Sequence, residues 1–511
     1  MHRSETLRPM VKAWERAIGR RNAVAAGWFA FVRFLCVGGL GLTSTVAFAQ
    51  APPCGPPQPA PAGWTSSFVA GCLDRNGHYA GGSQIIHLVT HKGQLYAAAG
   101  YWKDRHNVWY GGSDPRIGWG QILRLAAPDA PWVVDFELGA RHLRTETLAS
   151  VTFTQDSAGR LLSAPETMLI TATYDGSGEH GVQAYVRDDA GGAWVRSDVI
   201  AGDTGKRGED NSVRAARVYR DRVTGREHLF LSVGVVGLFR ADYDPTRPGR
   251  LAWTTTPEFV PSGTRILGLA EANGSLFVSE GSRIFRRIDG PAPRYEMVAD
   301  LTDEMDRATE RKQFSAIGGI RALTAIEGPV PGQQSLLFMW NPGRTSKGCI
   351  IRLDPSPDGS FGRHQEGCLA PLVAQHLGTP IPFTAGAYNA FMPVTDPASG
   401  ERLYVIGLES FVPITAGTEL TAHNQRKAQG GMYAGALYAL RDSRGGWRVS
   451  EVNGKFTPGM PEPVSVYDYA LSPFGGADAS RVYLGGYDCD DFPSTDTAWV
   501  SRTEVSNLLR R

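Results

Sequence analysis

From Gln84 onward the chain alternates short apolar runs with polar, glycine-rich breaks and shows no sustained helical period. Seven runs are dense in small and apolar residues: Gln94 to Gly100, Met168 to Thr173, His228 to Val233, Ser275 to Glu280, Ser335 to Trp340, Arg402 to Gly407 and Arg481 to Gly486. That composition suits strands covered on both faces. After each comes a more strictly alternating element that opens on a small residue. The copies are Gly120 to Leu125, Gly181 to Arg187, Gly237 to Asp242, Ser282 to Arg286, Gly348 to Asp354, Gly435 to Arg441 and Thr497 to Arg502. Most lead through a polar turn into a further strand, as at Asp189 to Trp194 and Asp442 to Trp447. The one helical candidate is a charged surface stretch from Asp303 to Lys312.

Four-stranded units repeated radially leave few exposed strand edges, so the pattern predicts an all-β chain folded as a β-propeller of about seven four-stranded blades. Little chain follows the last copy. The segment Trp64 to Val69, which precedes the first inner strand at Gln84, is therefore expected to supply the missing outer strand and close the ring against Thr497 to Arg502. The repeat resembles that of seven-bladed β-propellers over nearly all of residues 64–511, through motifs general to the architecture and tied to no enzyme family. Asp189, Gly191 and Trp194 also match the D-x-G-x-x-W part of the Asp-box turn of sialidase-like propellers. A glycine turn closed by a tryptophan plug reads there as a hairpin stabiliser.

The N-terminus carries Arg3, Arg8, Lys12, Arg16, Arg20 and Arg21, then an apolar stretch from Phe34 to Val46 and the A-x-A site Ala47-Phe48-Ala49. Residues 1–49 therefore read as a signal peptide, residues 50–63 as an extended, unpacked Pro-rich leader, and residues 64–511 as the propeller. An exported protein, periplasmic or extracellular, is expected, with no stable membrane span in the mature chain. Cysteine use fits an oxidising compartment: Cys349 and Cys368 flank a predicted hairpin, and Cys54 with Cys72 is the next pairing. Lys plus Arg number 52 against 51 Asp plus Glu, so no basic field points to nucleic acid.

Connections between the second and third strands of a blade, and those from one blade to the next, emerge on one face, where a ligand is expected. The first set holds an insertion from Tyr101 to Tyr110, then Tyr174, Asp175, Glu179 and His180, then Trp340, Asn341, Arg344 and Lys347. It continues with the longest insertion, from Glu409 through His423 and Arg426 to Tyr433, and ends at Tyr487, Asp488, Asp490 and Asp491. The second set adds Asn76, His78, Tyr79, Arg207, Glu209, Asp210, Arg214, Tyr388, Asn389, Tyr467 and Tyr469.

Aromatic rings beside Asn, Asp and Arg suit a sugar, and the cationic groups suit a uronate or sulfate. A glycan ligand is therefore expected on Tyr79, Trp102, Tyr174, Asp175, Trp340, Asn341, Tyr388, Asn389, Tyr487 and Asp488. The alternative is an enzyme on the same scaffold. A polysaccharide lyase would draw a base from Tyr101, His106, His180 or His423, with Arg207 or Arg426 neutralising the uronate. A glycoside hydrolase would draw two carboxylates from Asp175, Glu179, Asp210, Glu280, Glu409 and Asp488, among which no spacing selects a pair. A second alternative places a metal on His78, His106, His180 and His423, which come from different blades. Asp488, Asp490 and Asp491 would offer calcium oxygens without the spacing of an EF-hand. No motif identifies a reaction or a cofactor, and a non-catalytic binding propeller is equally compatible with the chain.

Overall fold

The structure is a computed structural model that describes residues 51–101, 119–139, 142, 144–305, 318–343, 347–413, 431–433, 435–452, 465–487 and 496–510. Seven antiparallel blades follow one another along the chain. Blade 1 runs from its inner strand Gln84–His91 through Gln94–Gly100 and Gln121–Leu125 to Val133–Glu137. Blade 2 begins at Thr147–Gln155, blade 3 at Ala216–Arg220, blade 4 at Ile266–Ala272 and blade 5 at Gly319–Glu327. Blade 6 has its inner edge in two pieces, Phe383–Gly386 and Met392–Thr395, which both pair with Arg402–Pro413. Blade 7 begins at Ser465–Leu471. Every predicted copy of the alternating element is the third strand of its blade, and every apolar run before it is the second.

The second strands are apolar because both their faces are covered by the flanking blades. Leu229, Phe230 and Leu231 of blade 3, and Leu336 to Met339 of blade 5, are fully buried. Outer strands alternate instead, as Trp194–Ile200 does.

The ring closes as the sequence predicts. Thr65 pairs with Arg502, Ser66 with Ser501, Phe68 with Val500 and Val69 with Trp499, so an N-terminal strand completes a blade made otherwise from the C-terminus. Burying both chain ends in one sheet removes the two edges an open ring would expose.

Two expectations change. The Pro-rich leader is extended but not free, because Gln58–Ala60 pairs with Trp64–Val69 and Cys54 is disulfide-bonded to Cys72. Proline is tolerated there because this strand lies at the sheet edge. A nine-residue helix, Leu369–Leu377, stands between blades 5 and 6, burying Leu369, Ala370 and Val373 and ending on Gly378 in the left-handed region. Of the short helix expected at Asp303 to Lys312, the start lies in a 3-10 turn over Thr302–Glu304, and residues 306–317 lie outside the described residues. The second disulfide is the predicted cross-strand pair Cys349–Cys368. Among the described residues no helix is long and apolar enough to cross a membrane.

Candidate functional site

Inner strands all start on the face that receives the connections between blades, so the first residues of each strand crowd around one axis. The inner strands of blades 1, 4, 5 and 7 each carry a register shift within these first residues: between Ile85 and His87, Ile266 and Gly268, Arg321 and Thr324, and Val466 and Asp468. Such a bulge re-aims a side chain that regular alternation would send elsewhere. Ile86, Leu267 and Tyr467, the extra residues of blades 1, 4 and 7, meet Tyr388 of blade 6 in one buried apolar cluster across the channel. Tyr388 lies in the break between the two inner pieces of blade 6.

Around this plug sits a network of buried charge. Arg144 precedes the inner strand of blade 2, Arg214 that of blade 3 and Arg265 that of blade 4, while Arg321 is the third residue of the inner strand of blade 5. All four are at most 8% exposed. Arg144 donates to Glu146 and, at 2.6 Å, to Glu209, and its Nη2 lies 3.4 Å from the Tyr174 hydroxyl. Arg265 donates to Glu209 at 2.6 Å and to the Ser212 hydroxyl at 3.2 Å. Arg214 lies 3.4 Å from Glu209 and 3.8 Å from Glu146. Arg321 donates to the Gly386 carbonyl at 2.7 Å and to the Tyr388 hydroxyl at 2.9 Å. Its guanidinium also stands 3.9 Å from the Tyr388 ring centre, with that of Arg214 at 4.9 Å.

Backbone geometry fixes the carboxylate at the hub. Glu209 rides on the 3-10 turn Gly208–Asn211, and Gly234 packs so closely beneath it that a Cβ would stand 1.9 Å from the Asp210 carbonyl oxygen. Gly234 also has φ of +39°, so no other residue fits this contact. On the other side, Ala322 occupies the left-handed region at φ of +57° and donates its N–H to the Tyr388 carbonyl at 3.1 Å. A non-glycine residue is strained there, and this one lies between the two members of the Arg321–Tyr388 pair.

Among the described residues of this network four guanidiniums face Glu146 and Glu209, and one positive charge remains in surplus when Asp468 is counted. Asp468 accepts from the Leu88 N–H at 2.7 Å and lies 3.7 Å from His87. Buried charges are ordinarily paired, because an unpaired one forfeits its hydration. Arg265 departs from that rule most clearly, since its Nε and Nη2 are buried without a hydrogen-bond partner. The surplus shows in the titrating groups. Burial raises the Glu209 carboxyl, but Arg144, Arg265 and Arg214 outweigh it and hold the group well below the usual carboxylate range. Burial likewise raises the Tyr388 phenol, and Arg321, Arg265 and Arg214 together bring it below its ordinary value. For Tyr467, burial prevails over Arg214 and the phenol is pushed up. Beyond the plug the channel continues as a cavity of about 240 Å³, whose walls include His87, Arg214, Leu269, Tyr388 and Asp468.

Of the residues singled out from the sequence, Arg214, Glu209, Tyr174, Tyr388 and Tyr467 belong to this network. Others have local work. Asn389 donates to the Ile86 carbonyl at 2.7 Å and lies 3.4 Å from that of Tyr467, tying blade 6 to blades 1 and 7. Tyr79 and Tyr101 both donate to Asp496, at 2.6 and 3.2 Å. Asp175 accepts from the Ser177 N–H at 3.1 Å and shapes its own turn, with the half-exposed His180 at 3.9 Å. Arg207 forms a surface ion pair with Asp203 at 2.9 Å. Glu280 accepts from Ser262 and Thr264 at 2.7 to 2.9 Å and braces a connection. Trp340 is 2% exposed in the core between blades 4 and 5. Asn341 is buried beside it in sequence, and its amide has no hydrogen-bond partner.

His78 pairs with Asp74 of its own turn at 3.5 Å, and among the described residues no group of three His, Cys, Asp or Glu is placed to hold a metal. Trp102, His106, Arg344, His423, Arg426, Asp488, Asp490 and Asp491 lie outside the described residues, as does the side chain of Tyr487. The two large insertions do connect second to third strands, in blades 1 and 6. The Asp-box-like turn sends Trp194 onto the neighbouring blade 1, where it stacks on Phe136 at 5.3 Å and donates to Asp135 at 2.9 Å.

No family model matches the chain, and no curated protein does. Among solved structures it is similar to a mutant of the Aleuria aurantia lectin AAL in complex with Fucalpha1-6GlcNAc, at 12% identity over 74% of this chain and 98% of that one, with a TM-score of 0.33. It is also similar to a thermostable family-43 glycoside hydrolase, at 8% identity over 74% and 96% with a TM-score of 0.31. A third is a protein from Lactobacillus plantarum, at 14% identity over 70% and 89% with a TM-score of 0.37.

Proposed function

We propose that this propeller is an exported carbohydrate-binding protein that recognises an acidic sugar, a uronate or a sulfated residue, at the arginine cluster on its loop-bearing face. The observation that carries this reading is the surplus of buried guanidinium at the mouth, and above all the two partnerless nitrogens of Arg265. A ligand carboxylate or sulfate supplies the missing negative charge, and the planar fork of an arginine matches it with two parallel hydrogen bonds. Glu209 keeps 22% of its side chain exposed, so the network reaches solvent. Tyr388 and Tyr467, whose rings stand 6.1 Å apart, close the apolar floor beneath that charge. Two disulfides support residence in an oxidising compartment, in keeping with the signal-like N-terminus.

An array of neutral, uronic and sulfated polysaccharides tests the reading. The protein is expected to bind acidic members and to lose them as salt is raised. Binding confined to neutral glycans, or to none, overturns it.

A further inference from the structure

We propose that the site also cleaves an acidic polymer, as a uronan lyase that works by β-elimination with the Tyr388 hydroxyl as base. The proposal rests on the acidic-sugar reading and assigns that sugar as a uronate. Its footing is geometric. Tyr388 lies in the break of the inner edge of blade 6, where no strand ladder holds it, and its carbonyl is pinned by the strained Ala322. Its hydroxyl accepts from Arg321 at 2.9 Å, so a negative charge on that oxygen meets a donor already in place. The guanidiniums of Arg321 and Arg214 lie 3.9 and 4.9 Å from its ring centre. Burial raises its phenol, Arg321, Arg265 and Arg214 lower it, Glu209 opposes them, and the phenol lies below its ordinary value. A tyrosine whose phenol is drawn down gives up its proton more readily, which is what a general base requires. Tyr467, whose ring lies beside it, is pushed the other way and stays protonated.

The chemistry then needs no further reactant but water. The proton on C5 of a uronide lies next to the carboxylate, and pairing that carboxylate with the free N–H groups of Arg265 makes it easier to remove. The Tyr388 phenolate takes this proton. The C5–H electron pair becomes the C4–C5 double bond, the bond from C4 to the glycosidic oxygen breaks, and that oxygen leaves with its electrons. Water protonates the leaving oxygen, which becomes the reducing-end hydroxyl of the released chain, and the hydroxide so formed takes the proton back from Tyr388. One product carries a double bond conjugated to its carboxylate.

Polygalacturonate and alginate, each incubated with the full mature protein, give the test. Ultraviolet absorbance reports unsaturated product, and calorimetry on the same samples reports binding. The parent is expected to release absorbing product, with a rate that rises with pH until Tyr388 has titrated below the ordinary tyrosine range. Tyr388→Phe is expected to keep its affinity within about threefold while turnover falls about 10²- to 10⁴-fold. If the parent binds a uronan and yields no unsaturated product, or yields only saturated ends, the lyase inference is overturned and the binding reading stands. Equal turnover by Tyr388→Phe also overturns it. If the parent binds neither polymer, the lyase inference falls, and the acidic-sugar reading falls with it when sulfated polymers are refused as well.

Discussion

Arg265 and Arg144 sit in the same network, yet their removal should have opposite consequences. Replacing Arg265 by Gln deletes a charge-assisted hydrogen bond to Glu209 and a second bond to the Ser212 hydroxyl, whose joint loss costs about 2–4.5 kcal/mol. It also deletes two buried N–H groups that have no partner, each of which costs the fold about 1–3 kcal/mol. Glu209 keeps Arg144 and Arg214. The two effects cancel to within about 1 kcal/mol, and the variant is expected to be as stable as the parent or slightly more so. Arg144→Gln is different, because Glu146 is fully buried and loses its closest cation. Stranding a buried carboxylate costs about 3–5 kcal/mol. Urea denaturation of the three proteins measures this contrast. Affinity for oligogalacturonate, read in parallel, should fall by about 2 kcal/mol, or roughly 30-fold, in Arg265→Gln. If Arg265→Gln is destabilised as much as Arg144→Gln and binds as the parent does, Arg265 is a structural tie and the charge-surplus reasoning fails.

Ring closure predicts that Trp64→Ala, which empties a side chain packed edge-on against Tyr438 at 6.4 Å, costs about 3–5 kcal/mol by urea denaturation, and that deleting Trp64–Val69 costs more. The left-handed backbone of Ala322 predicts that Ala322→Val costs at least about 2 kcal/mol, while Ala322→Gly stays within about 1 kcal/mol. Asp189 is partly buried, which alone would raise its carboxyl, but Lys92, His91 and Arg187 bring it from 3.8 to about 2. Its folded value is the lower one, so the associated stability is present above about pH 4 and drains away as pH falls toward about 2. Asp189→Asn should flatten that part of the acid-unfolding curve by at most about 2 kcal/mol, and an unchanged curve would refute the assignment.

Strand order and closure were legible because buried second strands have a composition that survives any local irregularity, and because seven third strands share one opening. Of the buried network, Arg214, Glu209, Tyr388 and Tyr467 stood among the residues named from loop position. Arg144, Arg265 and Arg321 did not, since a single arginine just before or within the start of a strand looks like an ordinary solvated turn residue. Only closing the ring brings them onto one axis. The bulges at Ile86, Leu267 and Tyr467 were equally hidden, because one extra residue inverts the alternation without leaving a mark in composition. Trp340 shows the reverse error. A tryptophan at the end of an apolar strand reads as a stacking ring, whereas the neighbouring blade covers it.

The central claim is that surplus positive charge at the mouth selects a negatively charged sugar. Its most direct measurement is a calorimetric titration of the mature protein with a galacturonate trimer and with the same trimer fully methyl-esterified, which has nearly the same shape and no charge. The account predicts that the acid binds at least about tenfold tighter, a difference of about 1.4 kcal/mol, and that this preference disappears in Arg265→Gln. Equal affinity for the two trimers in the parent would contradict it.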